Sequence, residues 1–397
     1  MTSGWRHALC TCTGLDGVDI AYVTTYSASD VTKWSGLGYY ISECLKDIST
    51  HVECVGPLLY YTPPLLRIKH RFYSRVLKQG VEPDRYPSVA RSYSDQVAFK
   101  LGRIKADIVF SPSTIPIANL QCKQPIVFWT DATFAGLVNF YPGMFNIAKE
   151  SLRFGNELEQ LALDRCRLAI YSSDWAAKTA LDNYSVDSSK IHVVPFGANL
   201  FSDAYLKDIK AIVSSRPTNM CRLLFLGIDW QRKGGDIAIE VVRQLNLMGM
   251  TAELHVIGPE IEALKPFPTF VIPHGRVDKT TLAGRNKLET QLAESHFLLL
   301  PTRAECCGIA LAEACAYGVP SVTTNVGGVE TAIKNGLNGW AFKLESDPSE
   351  YASYIFELMS NYSRYKELAL SSYNEYLLRL NWGVAGKRVK SLLQSVL

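Results

Sequence analysis

Short apolar runs alternate with amphipathic stretches along most of this chain of 397 residues. The runs are rich in β-branched side chains and are bounded by Gly or Pro, which is typical of strands buried inside a parallel sheet. Between the runs, apolar residues recur at three- and four-residue steps, and this spacing predicts helices. The alternation therefore predicts an α/β fold.

The individual elements can be placed from the same pattern. The predicted strands are Val18–Tyr26, His51–Val55, Asp107–Phe110, Ile126–Trp129, Leu168–Ser172, Ile191–Pro195, Arg222–Gly227, Ala252–Gly258, Phe270–Gly275 and Phe297–Leu300. The predicted helices are Tyr39–Ile48, Ile147–Cys166, Asp174–Asn183, a helix that follows Asp236 and extends to Met248, Arg285–Ala293, a helix that begins at Ile309, helical segments between Asp347 and Leu380, and a last amphipathic helix that begins at Trp382.

The chain is too long for one ordinary hydrophobic core, so we expect two main domains. In the middle of the chain the alternation stops, and Pro217, paired serines and scattered charges predict an interdomain linker. The predicted parts are a loose extension (1–17), a first Rossmann-like domain (18–196), the linker (197–218), a second Rossmann-like domain (219–380) and a C-terminal helix that crosses back to the first domain (381–397). Two such domains place a ligand cleft between them.

Composition narrows the functional classes. Hydrophobic residues make up 47% of the chain and charged residues 20%, as in ordinary globular proteins, and the formal net charge of +3 gives no argument for nucleic-acid binding. The ten cysteines include no C-x-x-C pair and lie mostly alone in apolar runs, which favours buried thiols in a reducing compartment. No apolar stretch approaches the ~20 residues of a membrane span, and the N-terminal residues lack a signal-peptide pattern, so we expect a cytoplasmic protein.

The stretch Pro301–Pro320 carries the most specific chemistry. It follows the apolar run Phe297–Leu300, and Gly308 separates that strand from a short helix. The unpaired N–H groups and the positive dipole end of a helix N-terminus bind phosphate well. Glu305 precedes this helix and is placed to reach a group bound over its start, whereas Glu313 lies inside it and is placed to reach a ribose. The alternative is that Glu305 only interacts favourably with the helix dipole and that Glu313 is a solvated side chain.

Three further places in the chain indicate ligand contact. Gly36 and Gly38 follow the first predicted strand and precede a helix, where glycine lets a ligand approach the backbone, although a plain tight turn has the same pattern. Asp131 follows a predicted strand at a cleft edge, or else it caps the next helix. Arg232 and Lys233 lie between a strand and a helix, where two cations are suited to neutralising a diphosphate; the alternative is a solvated charged turn.

The order of these motifs resembles that of glycosyltransferase family 4. Glu305 and Glu313 match the E-x7-E motif of its retaining enzymes, and Val326–Glu330 is similar to its G-G-x-x-E loop, one residue shorter. Lys233, with the glycine after it, matches the end of its G-R-x4-K-G motif. The resemblance covers the C-terminal half more closely than the N-terminal half. The chain departs from the family pattern, which has His, Arg, Gly and Phe, at Thr130, Ile228, Cys306 and Cys307.

This resemblance implies a GT-B fold and a retaining glycosyltransferase, which moves a sugar from a nucleotide-sugar donor to an acceptor hydroxyl. In such enzymes the second domain binds the donor, cations stabilise the departing diphosphate without a metal or a cofactor, and the acceptor attacks from the face that the diphosphate leaves. The implied catalytic residues are Lys233, Glu305 and Asp131. The implied donor-binding residues are Arg232, Lys233, Arg276, Val277, Glu305, Cys307, Gly308, Ile309 and Glu313, with Gly36 and Gly38 in an acceptor or phosphate loop.

Two alternatives stay open at this point. One is a non-catalytic or non-glycosidic relative that keeps the donor site. The departures from the family pattern are the reason to consider it. The other is a nucleotide-sugar epimerase or a phosphorylase of the same fold. The nucleotide base, the sugar and the acceptor are left open; the candidate acceptors are a lipid-linked molecule and a saccharide.

The segment from Pro57 to Arg91 is rich in Tyr and Pro and strongly basic. From Leu65 to Lys78, apolar residues recur at three- and four-residue steps among five Lys or Arg residues. This pattern predicts a basic amphipathic helix, a type that lies on anionic membrane surfaces. In one interpretation, the segment is a solvated region that projects from the first domain. The other is contact with the acceptor or with anionic lipid, which would place the protein peripherally at the inner face of a membrane.

Overall fold

The computed structural model describes residues 15–200, 208–260 and 266–397. The strands are β1 (Leu15–Val23), β2 (Ser49–Val55), β3 (Ile108–Ser111), β4 (Ile126–Thr130), β5 (Leu168–Tyr171), β6 (Ile191–Val193), β7 (Cys221–Leu226), β8 (Ala252–Ile257), β9 (Val271–Gly275), β10 (Phe297–Leu300), β11 (Ser321–Thr324) and β12 (Gly339–Phe342). The α-helices are α1 (Leu37–Ile48), α2 (Pro64–Arg75), α3 (Pro87–Leu101), α4 (Phe134–Leu137), α5 (Lys149–Arg165), α6 (Asp174–Asn183), α7 (Ile209–Ser215), α8 (Gly235–Leu247), α9 (Leu282–Glu294), α10 (Ile309–Ala316), α11 (Val329–Ala332), α12 (Pro348–Ser360), α13 (Tyr362–Arg379) and α14 (Trp382–Gln394).

The strands form two parallel sheets, which confirms the predicted α/β fold of two Rossmann-like domains. The first sheet has the order β2-β1-β3-β4-β5-β6, and the second has the order β12-β11-β10-β7-β8-β9. In the first sheet the strand order reverses between β1 and β3, and in the second it reverses between β7 and β10. Ligands of open parallel sheets bind beyond the carboxyl ends of the strands at such a reversal.

Helices cover both faces of each sheet. In β1, Ile20 and Tyr22 belong to one buried cluster while Ala21 and Val23 belong to another, because successive side chains of a strand point to opposite faces. All four residues of β10 are buried. This explains why the strands read as continuous apolar runs rather than as alternating patterns.

The last helix, α14, packs against the first domain although it follows the second domain in the chain. Its residues Ala385, Val389 and Leu393 are buried in the same cluster as Cys44 and Ile48 of α1. At the start of α14, the Trp382 ring stacks on that of Tyr40, with centroids 6.0 Å apart. The second domain is thus followed by a helix that completes the core of the first.

Several elements differ from the sequence-based expectations. Strand β1 begins at Leu15, inside the predicted extension, and the rest of that extension, 1–14, lies outside the described residues. Helix α7 lies inside the predicted linker, of which residues 201–207 are not described. Helix α2 confirms the basic amphipathic helix predicted between Leu65 and Lys78, although it ends at Arg75, and the same segment leads into α3, which was not predicted. No helix in the described parts of the chain is long and apolar enough to span a membrane.

Candidate active site

The loops that follow β7 and β10 lie on either side of the strand reversal in the second sheet. Gly234, which precedes α8, has a left-handed backbone with φ +74°, and a Cβ there would lie 2.0 Å from the carbonyl oxygen of Pro301. The Arg303 N–H donates a hydrogen bond to the Arg232 carbonyl oxygen at 2.7 Å. Glycine therefore allows the two loops to pack directly on each other.

This packing brings Arg232, Lys233 and Glu305 together. The Lys233 ammonium contacts the Glu305 carboxylate, and these two residues are only 8% and 7% exposed. The Arg232 guanidinium lies 3.5 Å from the same carboxylate oxygen and donates a hydrogen bond to the Ala304 carbonyl oxygen at 2.9 Å. Burial would raise the pKa of Glu305, but Lys233 and Arg232 outweigh it and hold that pKa below its usual value. The site therefore contains an ionised carboxylate between two cations.

Helix α10 begins beside this cluster. Gly308 is its N-cap, in a left-handed conformation, and the Gly308 N–H donates a hydrogen bond to Glu305 Oε1 at 3.3 Å. Inside the helix, Glu313 is 2% exposed and its carboxylate lies 2.6 Å from the Lys279 ammonium. The alternative of a solvated Glu at this position is therefore wrong.

Asp131 faces this cluster from the first domain. Its carboxylate accepts a hydrogen bond from the Trp34 indole N–H at 3.1 Å and lies 3.9 Å from the Cys307 sulfur. Burial, with a smaller contribution from the Glu305 charge, raises the pKa of Asp131 to about 6. Asp131 does not cap the next helix, because the Thr133 side chain is the N-cap of α4.

A second contact between the domains involves Arg232. Its guanidinium lies 4.8 Å from the ring centroid of Tyr141, a residue of the first domain, which is a cation–π distance. Further along the cleft, Thr331 of α11 accepts a hydrogen bond from the Asp174 N–H at 2.9 Å and donates one to the Asp174 carboxylate at 3.0 Å. The two domains therefore contact each other at Arg232 and at Thr331.

The glycines of the first domain hold a compact loop before α1. Gly36 has φ +85°, and the two residues before it, Trp34 and Ser35, also have positive φ values of 47° and 54°. A Cβ on Gly38 would lie 2.3 Å from the Tyr26 hydroxyl oxygen. The glycines therefore serve local packing here, and the loop they shape presents Trp34 to Asp131.

The remaining predicted site residues are more dispersed. Arg276 is exposed on the turn after β9, whereas Val277 packs against the core of the second domain. Ile309 is partly buried against the core of the first domain. Cys306 is buried, and its pKa is raised by that burial and by the Asp131 charge. Ile228, which replaces the expected arginine, is 66% exposed.

Three residues at the site were missed by sequence reasoning. Lys279 and Tyr141 lie in loops without a recognisable motif, and no signal in the sequence points to them. Trp34 lies two residues before Gly36, so its position next to the predicted glycine turn could have indicated a role at the site. Each contacts a residue that had been predicted, so these contacts depend on how the loops pack.

Most of the second domain matches the model of a known protein family. Residues 221–361 match the glycosyl transferases group 1 family. Over 213 residues the chain is 25% identical to the D-inositol 3-phosphate glycosyltransferase of Geodermatophilus obscurus, covering 50% of this chain and 46% of that protein. The chain spans about half the length of the curated relatives it matches.

Solved glycosyltransferase structures align with nearly the whole chain. Sucrose-phosphate synthase from Thermosynechococcus elongatus has a TM-score of 0.68 and 14% identity, covering 95% of this chain and 98% of that one. HepE from Anabaena, in complex with UDP-glucose, has a TM-score of 0.61 and 14% identity, covering 95% and 99%. The chain has the GT-B fold. The cluster around Glu305 thus lies in the cleft between the two domains of a GT-B protein.

Proposed function

We propose that this protein is a retaining glycosyltransferase, which moves a sugar from a nucleoside-diphosphate donor to an acceptor hydroxyl without a metal. The observation that carries the proposal is the cluster of Lys233, Arg232 and Glu305 at the strand reversal of the second sheet, opposite Asp131 in the cleft. A diphosphate leaving group needs positive charge where its own charge develops. Two cations on one buried loop supply that charge.

In this proposal the donor diphosphate takes the place of Glu305 as the partner of Lys233 and Arg232. Glu305 is then free to accept hydrogen bonds from the sugar hydroxyls. The bond between the anomeric carbon and the diphosphate oxygen breaks while the acceptor oxygen bonds to the same face of that carbon. The departing diphosphate takes the acceptor proton. Because the new bond forms on the face that the diphosphate leaves, the configuration of the anomeric carbon is retained. Charge stabilisation that is strongest in the transition state raises the rate of this step.

The rest of the donor would extend along α10. The Gly308 and Ile309 N–H groups would face the phosphates, and Glu313 would accept hydrogen bonds from the ribose hydroxyls. Arg276 and Val277, on the turn after β9, would border the nucleotide base. HepE of Anabaena is described in complex with UDP-glucose, so uridine nucleotides are the first donors to test. The acceptor is proposed to be either lipid-linked or a saccharide, and no cofactor is proposed.

The compartment is part of the same proposal. The eight cysteines within the described residues are all free thiols. Free thiols persist in reducing compartments, which supports cytoplasmic residence.

A ligand screen followed by a donor assay tests this function. Uridine, guanosine and adenosine diphosphates are each added to the purified protein, and the melting temperature is measured. A ligand at 100 times its Kd stabilises a folded protein by about 2.7 kcal/mol, so one base should give a clear increase. Slow hydrolysis of the corresponding nucleotide sugar is then followed by NMR, which reads the anomer that forms first.

The matched control for this assay is Lys343→Ala, which removes an exposed lysine outside the site. It should retain the activity of the wild type, whereas Lys233→Ala should lose it. If no nucleoside diphosphate raises the melting temperature, the assignment of a donor site is wrong. Binding without hydrolysis or transfer would instead support a non-catalytic relative, and an inverted anomer would exclude the front-face mechanism.

A further inference from the structure

Helix α2 is amphipathic, yet none of its residues is buried. Leu65, Ile68 and Phe72 are 81%, 64% and 51% exposed, and Val76, directly after the helix, is 63% exposed. These residues recur at three- and four-residue steps, so they form one stripe along the helix. A helix of a globular protein normally packs such a stripe against the core. Within the described structure, this stripe faces solvent.

The other side of α2 fixes the helix on the first domain. Leu66 packs against the core of that domain, and the His70 ring lies against that of Tyr86, with centroids 4.8 Å apart. Lys69 forms an ion pair with Glu150 of α5. These contacts hold the stripe in its outward orientation.

A row of basic residues runs beside the stripe. Arg67, Arg71 and Arg75 recur at four-residue steps and are exposed, and Lys78 follows the helix. In the described part of the chain, none of these four side chains forms an ion pair. The segment 64–78 contains five Lys or Arg residues and no Asp or Glu, whereas the whole chain has a net charge of only +3. Positive charge is therefore concentrated on this helix.

We propose that this surface docks on an anionic lipid bilayer. The α2 face consists of the apolar stripe and the basic row: Leu65, Ile68, Phe72, Val76, Arg67, Arg71, Arg75 and Lys78. Apolar side chains on such a helix enter the boundary between head groups and acyl chains, while the basic side chains bind lipid phosphates. A second copy of the chain is a poor partner for the α2 face, because it would bring two clusters of like charge together.

The docked bilayer would lie beside the active-site cleft. The Asn146 amide donates a hydrogen bond to the Lys78 carbonyl oxygen at 2.9 Å, and the Gly80 N–H donates one to the Asn146 carbonyl oxygen at 3.0 Å. The same loop carries Tyr141, whose ring faces Arg232. Only one short loop thus separates the α2 face from the cluster around Glu305. Docking itself does not depend on the proposed transfer reaction.

Vesicle co-sedimentation of the full chain tests the docking. The vesicles contain either phosphatidylcholine alone or phosphatidylcholine with roughly a third phosphatidylserine, at low and at high salt. We expect binding to the anionic vesicles at low salt, and a loss of binding at high salt or without the anionic lipid. Each Lys or Arg near such a surface strengthens binding about fivefold. Replacing Arg67, Arg71, Arg75 and Lys78 by Gln should therefore weaken binding by at least ~100-fold.

Two further variants distinguish vesicle binding through the α2 face from a general effect of positive charge. Replacing Leu65, Ile68 and Phe72 by Ser should also reduce vesicle binding, because the stripe loses its apolar side chains while the charge stays the same. The matched control replaces four exposed basic residues elsewhere, namely Lys123, Lys343, Lys387 and Arg388, by Gln. It carries the same charge loss and should still bind. All the replaced side chains are exposed, so the melting temperatures should stay within a few degrees of that of the wild type.

The proposal is overturned if the wild type does not bind anionic vesicles, if the control variant loses binding as strongly as the α2 variants do, or if the Ser variant binds like the wild type. A wild-type dimer in sedimentation velocity that the Ser variant dissociates would assign the α2 face to a second copy instead. Nucleoside-diphosphate binding is measured on the same variants and should be unchanged. A wild type that binds a nucleoside diphosphate but not anionic vesicles refutes this inference alone, and a wild type that binds the vesicles but no nucleoside diphosphate refutes the proposed function alone.

Discussion

At the scale of single residues, the contact between Lys233 and Glu305 both stabilises the fold and occupies the proposed diphosphate site. Removing one partner of a buried ion pair leaves the other charge buried, which typically costs about 3–5 kcal/mol when nothing replaces it. Here Arg232 remains 3.5 Å from the carboxylate, so the cost should be smaller. A single substitution therefore mixes a stability effect with a catalytic one, and a double variant separates them.

We expect Lys233→Ala to lower donor turnover by at least ~100-fold and the free energy of unfolding by roughly 1–3 kcal/mol. Adding Glu305→Ala to this variant should restore part of the stability, because the unpaired carboxylate is gone, but none of the turnover. Urea denaturation and the donor assay on the three variants measure the two effects separately. Turnover near the wild-type rate in Lys233→Ala would mean that this lysine only holds Glu305 in place.

Glu313 can be assigned by comparing it with its ion-pair partner. Glu313→Ala should weaken nucleoside-diphosphate binding by about 10- to 100-fold, the usual loss for a hydrogen bond to a charged group. Lys279→Ala breaks the same ion pair but leaves the carboxylate available to a ribose, so it should weaken binding less. Isothermal titration calorimetry gives both affinities. An unchanged affinity in Glu313→Ala would disprove the ribose contact.

Asp131 makes the stability of the ligand-free protein depend on pH in a defined direction. Its pKa of about 6 is above the usual value of 3.8, so between these values the folded state binds more protons than the unfolded state. The contribution of Asp131 to stability is therefore complete below about pH 4 and is lost as the pH rises through 6.

Urea midpoints between pH 4 and pH 7 should reveal this contribution. As the pH rises, the wild type should lose stability relative to Asp131→Asn. The reason is that Asn keeps an acceptor for the Trp34 indole N–H but does not titrate. Because Glu305 has a lowered pKa, its effect has the opposite sign and is common to both proteins. Parallel pH profiles would show that the pKa of Asp131 is not raised.

At the scale of elements, local signals decide what the sequence can predict. Helix α6 has the predicted bounds, because its residues are good helix formers and Ser173 caps its first turn. Strands β11 and β12 were not predicted; each has only four residues, and Ser, Thr or Gly interrupts the apolar pattern in both. Short elements of this kind depend on their neighbours more than on their own residues. Helix α3 was not predicted either, although its buried residues Val89, Tyr93, Val97 and Leu101 recur at four-residue steps.

The loop before α1 contains backbone strain that a glycine should relieve. Ser35 has φ 54°, a left-handed conformation that costs a residue other than glycine roughly 1–2 kcal/mol. We expect Ser35→Gly to raise the free energy of unfolding by about 0.5–1 kcal/mol. Ser29→Gly is the control, because Ser29 lies in the same segment without a positive φ, and it should be neutral or slightly destabilising. Urea midpoints compare the two. Equal effects would show that the conformation of Ser35 carries no strain.

At the scale of the whole molecule, contacts between distant loops form the site, and sequence patterns do not reveal them. Asp131 was predicted to lie at a cleft edge, but its partners Trp34 and Cys307 are 97 and 176 positions away in the chain. The motifs identified each loop separately. Their relative placement follows from the docking of two complete domains, which depends on packed surfaces rather than on any local pattern.

Helix α14 should belong energetically to the first domain rather than to the second. Leu393 is fully buried, so Leu393→Ala should cost about 2–5 kcal/mol. Hydrogen exchange should show the loss of protection in α1 and β1. The control is Leu358→Ala in α12, which is buried in the core of the second domain and should affect that domain instead. Faster exchange confined to the second domain in Leu393→Ala would contradict this assignment.

The position of α14 also has a consequence for how the protein is made. Domains generally fold as units during translation, the N-terminal one first, at about 5–20 residues per second. Here Cys44 and Ile48 of α1 are covered by α14, which leaves the ribosome only after the entire second domain has been synthesised. For roughly tens of seconds the nascent first domain therefore exposes an apolar helix face, and this face is where we expect a chaperone to bind the growing chain.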